Sequence, residues 1–441
     1  MRYFFVCLFF LLVVKVFSQA PTTYGTDAGT IGGGSSYYGF EAGMNSNMSS
    51  GANTFVGAYS GTLNTTGTNN AFVGIYTGYN NNGSNNSFFG SNAGKNNTSG
   101  YQNSFFGKSA GTNITTGYSN SFFGSNSGIS ATTGFANCFM GTDAGRLTTT
   151  GSGNSFFGYQ AGYNNTSGNG NTFVGYLAGR NSNSGTANIF IGYYAGYENT
   201  SGKINTFVGM GSGQANTTGE TNTFIGESSG WSNTTGSANC YIGVACGKRN
   251  VVGERNCFMG NGSGSSVTSG SYNVYIGYGS GVRNISGSYN LFLGYYAGLK
   301  ETGNNKLFIQ TDSSEIPLIY GEFDNKKLGI NTKSIPAGYT MGVKGKIITE
   351  EVKVQLTSGG TWPDYVFAAD YKLASLEAVD AYVKEHGHLP EVPSTEDIKR
   401  NEGYELGEMD KILLKKIEEL TLYIIEQNKR IEKLEAELKA R

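Results

Sequence analysis

One pattern repeats along most of this chain: Asn-x-Phe-apolar-Gly, two residues, Ala/Ser-Gly, three residues, Thr-Thr/Ser-Gly, two residues, then the next copy. Residues 103–119 give one copy, Asn103-Ser104-Phe105-Phe106-Gly107-Lys108-Ser109-Ala110-Gly111-Thr112-Asn113-Ile114-Thr115-Thr116-Gly117-Tyr118-Ser119. The lead aromatic falls 17 times, from Tyr37 to Phe308, and the twelve steps from Phe88 to Phe292 are all 17 residues. Steps of 18 and 16 occur only near the ends. So strict a period means identical units stacked on one another, each touching only its neighbours.

The unit is too short for a helix pair and carries strand and turn chemistry. Phe, Tyr, Val and Ile suit a pleated surface. Gly, Asn, Thr and Ser suit corners and left-handed backbone. Each copy is therefore read as one coil of a parallel β-solenoid, mainly β, of about 17 coils over residues 35–310, at roughly 4.8 Å per coil. Neighbouring strand residues point to opposite faces. Yet Phe105-Phe106, Phe173-Val174, Phe190-Ile191, Phe224-Ile225 and Phe292-Leu293 are all doubly apolar. One side chain of each pair fills the coil, and the other forms an apolar strip longer than a soluble monomer exposes. The strip predicts burial against other copies of the chain.

Charge divides the sequence. The chain of 441 residues has a net charge of −1, which gives no electrostatic case for nucleic acid. Of its 63 Lys, Arg, Asp and Glu residues, 42 lie from 311 onward, so a different module begins near there. Residues 1–18 read as a secretory signal peptide, with Arg2, an apolar run from Tyr3 to Val14, and Val16-Phe17-Ser18 as the exit. The expected mature protein is secreted to the cell surface and has no membrane helix. Residues 19–34 form a lead-in. Residues 311–358 read as a β-rich adaptor on runs such as Ile316–Tyr320 and Lys327–Asn331, and residues 359–405 as a small mixed α/β cap. The chain closes in a helix over 406–441. Along it Leu413, Ile417, Leu420, Ile424, Gln427, Ile431, Leu434 and Leu438 alternate steps of four and three, a coiled-coil seam with one polar layer. The polar residues Lys415, Lys416, Glu418, Glu419, Glu426, Lys429, Lys433 and Glu435 form its expected outer face.

Chemistry is sparse. The two histidines, His386 and His388, lack a ligand cluster and read as a helix-end loop. Residues 35–310 contain no histidine and only seven acidic residues, so neither acid–base pairs nor calcium-type sets can be built there. No catalytic, metal or cofactor site is expected, and no enzyme. Cys138, Cys240 and Cys257 precede the lead aromatic and Cys246 sits in the small slot; a Cys240–Cys257 disulfide is one reading, and small side chains in a tight ladder the preferred one. The Asn-x-Ser/Thr sequons at Asn64, Asn97, Asn113, Asn165, Asn199, Asn216, Asn233 and Asn284 read as turn chemistry ahead of glycan acceptors.

The unit at Phe105-Phe106-Gly107, Ala110-Gly111 and Thr115-Thr116-Gly117 resembles the head repeats of bacterial trimeric autotransporter adhesins. That resemblance implies a left-handed parallel β-roll of three chains side by side. No membrane β-barrel follows the terminal helix, so it implies no mode of anchoring. The motif Leu328-Gly329-Ile330-Asn331 resembles the end regions of phage tail-fibre-like proteins, which often close with an intramolecular chaperone, and Trp362-Pro363-Asp364-Tyr365 and His388-Leu389-Pro390 resemble a variant cap seen in bacterial surface proteins. The Ser-Asp start of the self-cleaving members has no match here. Together these imply an exported, fibrous homotrimer with adhesion to a host surface or glycan as its work. Tyr159, Tyr176, Tyr193 and Tyr295, which follow the repeat Gly, are the candidate contacts. The alternative is an ice- or polysaccharide-binding solenoid using stacked Thr pairs such as Thr65-Thr66, Thr115-Thr116, Thr132-Thr133 and Thr217-Thr218.

Overall fold

A computed structural model describes residues 34–46, 51–355 and 362–440. The expected signal peptide and nearly all of the lead-in lie outside the described residues. The chain divides into two compact units, with the boundary in the sequence between Lys346 and Ile347.

The first unit is a parallel β-solenoid. Seventeen short strands, from β1 (Ser36–Tyr38) to β17 (Lys306–Ile309), stack one per coil. Each pairs in parallel with the next, and every lead aromatic faces the next one: Phe88 opposite Phe105, Phe105 opposite Phe122. The alternation read from sequence holds. From Phe55 to Phe292 the lead aromatics are 0% exposed. Their rings form one continuous stack; Phe105 and Phe122, for example, lie 4.8 Å apart and nearly parallel.

Only three residues per coil are strand; the rest is turns, and the repeat supplies what those turns require. Gly107 has φ +145° and Gly111 φ +57°, backbone that a side chain rarely adopts. A Cβ on Gly107 would lie 2.4 Å from the Gly124 carbonyl, and one on Gly111 2.6 Å from the Phe105 ring.

The Asn that opens each copy is an interior residue. Asn103, Asn120 and Asn137 are buried and form a ladder. The Asn120 side-chain amide donates to Asn103 Oδ1 at 3.1 Å and to the Gly134 carbonyl at 2.9 Å. Its Oδ1 accepts from the Asn137 backbone N–H at 3.0 Å and from the Asn137 amide at 3.1 Å. Every polar atom of the side chain is therefore satisfied without water, which a buried amide requires. A short coil is repaired in the same currency. The 16-residue step from Phe72 to Phe88 drops one of the paired Thr positions, and Asn82 Oδ1 accepts from the Thr65 and Thr66 N–H groups instead.

The repeat ends by turning its last ring. Phe308 lies at 80° to Phe292, and Tyr320 at 87° to Phe308. β18 (Ile319–Glu322) pairs antiparallel with β17, β19 (Lys327–Ile330) antiparallel with β18, and β20 (Met341–Val343) parallel with β19. Gln310, standing where the repeat has Gly, is buried and donates to the Asp312 carbonyl at 2.7 Å. The adaptor region thus continues the solenoid's own sheet.

The second unit carries a 3-10 turn (Pro363–Phe367), α1 (Leu376–His386), α2 (Thr395–Arg400) and the 34-residue α3 (Leu406–Lys439). Ser375 caps α1 by accepting from the Ala378 N–H, and Gly387 ends it at φ 74°. Ser394 and Asp397 form a capping box on α2. The cap expected to mix α and β has no strand among its described residues: it consists of two short capped helices and a 3-10 turn, and the turn packs against α3.

Candidate interaction surfaces

The residue after each lead aromatic points outward. Val56, Val73, Phe106, Met140, Val174, Ile191, Ile225, Met259 and Ile276 are 36–46% exposed and lie in one column, because the strands are in register. Where the column holds aromatics it stacks, as in Phe106 on Phe123 at 4.9 Å.

A second column, the position after each repeat Gly, carries all four candidate tyrosines, three of them in consecutive coils. Tyr159, Tyr176 and Tyr193 are 43–52% exposed and stack at 5.3 Å per step. Tyr295 stands apart, stacked on Tyr278 at 5.5 Å. Face-to-face stacking occupies the ring faces, so these columns offer edges and hydroxyls to a ligand rather than flat platforms. Sequence reading missed an adjacent feature. The Tyr163 ring lies between the guanidinium groups of Arg146 and Arg180, at 5.5 and 5.0 Å. Arg146 also donates to the Tyr163 hydroxyl at 2.6 Å. The 17-residue spacing of Arg146, Tyr163, Arg180 and Tyr197 was the available signal.

The Thr pairs lie on bends, not on a flat strand. The first Thr of a pair spends its proton on the next coil: Thr115 donates to the Thr132 carbonyl at 3.1 Å, Thr217 to the Thr234 carbonyl at 3.0 Å. Seven of the eight sequon asparagines, all except Asn113, are buried inside the rod, where no glycan fits. They serve as a second interior ladder: Asn216 donates to Asn199 Oδ1 at 2.7 Å, and Asn233 to Asn216 Oδ1 at 2.7 Å. The four cysteines among the described residues are free thiols, although Cys240 and Cys257 are register partners. Burial pushes the Cys246 thiol far up.

In the second unit the eight seam positions lie along one side of α3. The seven apolar ones are 48–79% exposed. The outer-face assignment needs correction over the first half of the helix. Lys415 and Lys416 do not face solvent; their ammonium groups bind the two Glu391 oxygens at 2.6 and 3.0 Å. Burial alone would raise the Glu391 carboxyl, but these two lysines hold it below its usual range. Glu419 accepts from Tyr371 and Lys416, and Glu418 is buried. Tyr423 donates to the Ala374 carbonyl at 2.6 Å. This part of α3 is clamped to its own module, while Glu426, Lys429, Lys433 and Glu435 beyond it are exposed. Between the clamp and the seam runs a cleft of about 770 Å³, lined by Leu376, Leu389, Leu413, Ile417 and Leu420 among others.

His386 ends α1, and Tyr382 packs on both histidine rings. Among the described residues no group of three or more His, Cys, Asp or Glu could hold a metal ion. None of their helices is long and apolar enough to cross a membrane. The fold places the chain among parallel β-solenoid repeat proteins. Comparison with known proteins finds no matching family model, no matching curated protein and no matching solved structure.

Proposed function

We propose that this chain is an exported, fibrous, homotrimeric surface protein that works as a non-catalytic adhesin or binding stalk. The observation that carries the reading is the in-register column of exposed apolar side chains from Val56 to Ile276. Fully burying a Val, Ile or Phe contributes about 1.5–3 kcal/mol, so even half-exposed residues repeated coil after coil favour self-association strongly. The seam on α3 supports the same conclusion at the other end of the chain. A repeat rod gives reach from a surface and displays the same contacts many times over. The tyrosine column at Tyr159, Tyr176 and Tyr193, beside Arg146 and Arg180, is the proposed contact face for a host surface or glycan, being rich in the residue types that dominate binding hot spots.

The test has two parts. Sedimentation of the mature protein at micromolar concentration is expected to give the mass of three chains, and Ile191→Lys with Ile225→Lys to lower it. A wild-type monomer refutes the reading. Binding to glycan arrays and host-cell surfaces is expected to fall when Tyr159, Tyr176 and Tyr193 become Ser, with the mass unchanged. Thermal hysteresis without such binding would favour the Thr-array alternative.

A further inference from the structure

We propose that the cleft beside α3 is filled by α3 of a second copy of this chain, running parallel and in register. This rests on the self-association proposed above and specifies how the C-terminal unit does it. Three observations carry it.

The first is where packing stops. Up to Tyr423 the helix is held by its own module through Glu391, Tyr371 and the Ala374 carbonyl. From Ile424 to Ala440 every residue is exposed, including Ile424, Ile425, Ile431, Leu434 and Leu438. Most of a helix's stability in a protein comes from a packed amphipathic face, and this segment has none within the described residues of its own chain.

The second is the cleft. Leu413, Ile417 and Leu420 do not form a free ridge; they make one wall of a slot whose other wall includes Leu376 and Leu389. The exposed half of the seam continues the same line. An occupant must be long, apolar and matched to that line, and another α3 supplies those properties.

The third is charge. The four–three spacing puts Ile417, Ile424, Ile431 and Leu438 at a, and Leu413, Leu420, Gln427 and Leu434 at d. Arg430 then falls at g and Glu435 at e, the positions that face one another between parallel, in-register helices. Neither makes an ion pair with another described residue of its own chain. The same register brings each Gln427 amide against its counterpart, which gives a buried polar layer a partner.

The test uses the full chain with Gln427→Cys. Mild oxidation is expected to give a covalent dimer on a non-reducing gel, whereas wild type, with its native thiols alone, and Lys433→Cys stay uncrosslinked. Arg430→Glu is expected to weaken association, and adding Glu435→Arg to restore it. Leu389→Asp, at an exposed position away from the seam, is expected to lower the Gln427→Cys crosslink yield while helicity persists. A wild-type chain that sediments as a monomer overturns the self-association reading itself. An oligomer in which Gln427→Cys gives no crosslink, or in which Leu389→Asp leaves that crosslink undiminished, leaves that reading standing and overturns this one.

Discussion

Replacing Asn120 by Leu tests whether the interior amide ladder holds the coils together. Leu keeps the branched outline and heavy-atom count of the Asn side chain, although its methyl groups are bulkier, so packing alone predicts a modest change. Hydrogen bonding predicts a large one. The substitution removes the only partner of the Gly134 carbonyl among the described residues and the acceptor of the Asn137 backbone N–H. Asn103 Oδ1 keeps one donor, the residue 120 backbone N–H, and the Asn137 amide keeps the Gly151 carbonyl. Two buried groups are therefore orphaned outright. At about 1–3 kcal/mol for each, the cost is about 2–6 kcal/mol. In a stacked array that cost falls on one coil and its neighbours, not on the whole rod. Limited proteolysis of the full chain should nick Asn120→Leu between the coils of Phe105 and Phe139, and urea should loosen that segment first. Asn113→Ala, at an exposed site one coil away, is the control and should behave as wild type. If the two variants resist protease and urea equally well, the ladder does not carry the stability assigned to it.

Deleting residues 155–171 removes one whole coil, so far-ultraviolet circular dichroism and melting temperature should be nearly unchanged, while deleting 155–170 should misalign the remaining stack and lower the melting temperature. Gly124→Ala forces a side chain into φ +138° with its Cβ 2.4 Å from the Gly141 carbonyl; strain alone costs about 1–3 kcal/mol, readable as a lower urea midpoint. Glu322 is held down to about 2 by hydrogen bonds from Asn325 and Tyr320, with Lys306 beside it. Because the folded value lies below the unfolded one of about 4.3, its contribution is full above that pH and is lost as pH falls toward 2; amide protection factors in Ile319–Ile330, corrected for intrinsic exchange, should fall across that window and stay level between pH 5 and 7.

The rod was legible because its signal is local and repeated. Phe105 and Phe106 announce an inside and an outside, and the 17-residue step sets the register without any long-range information. The seam on α3 was legible for the same reason. Two things were not. Asn at the start of each copy has the same side chain whether it turns a corner or bridges two coils, and only the stacked backbone shows that Asn120 reaches Gly134. Lys415 and Lys416 look like any solvated pair on a helix, because Glu391, the residue that binds both, lies more than twenty positions away in sequence. Arg146 and Arg180 were hidden differently: each is ordinary alone, and only stacking sets Tyr163 between them.

The coil-to-coil ladder built by the opening Asn of each copy bears on how such a gene can change. A replication slip that gains or loses one repeat inserts or removes a unit whose Asn, Phe and Gly already match both neighbours, as Asn137 matches Asn120 and Asn154 alike. Such a slip leaves no broken register to be rescued by a later mutation. The residues that vary from copy to copy, Lys108, Ser125, Thr142 and Tyr159 at one and the same position of the coil, can then drift without touching the interior. Length and surface chemistry are thus separately heritable traits of one short sentence of sequence.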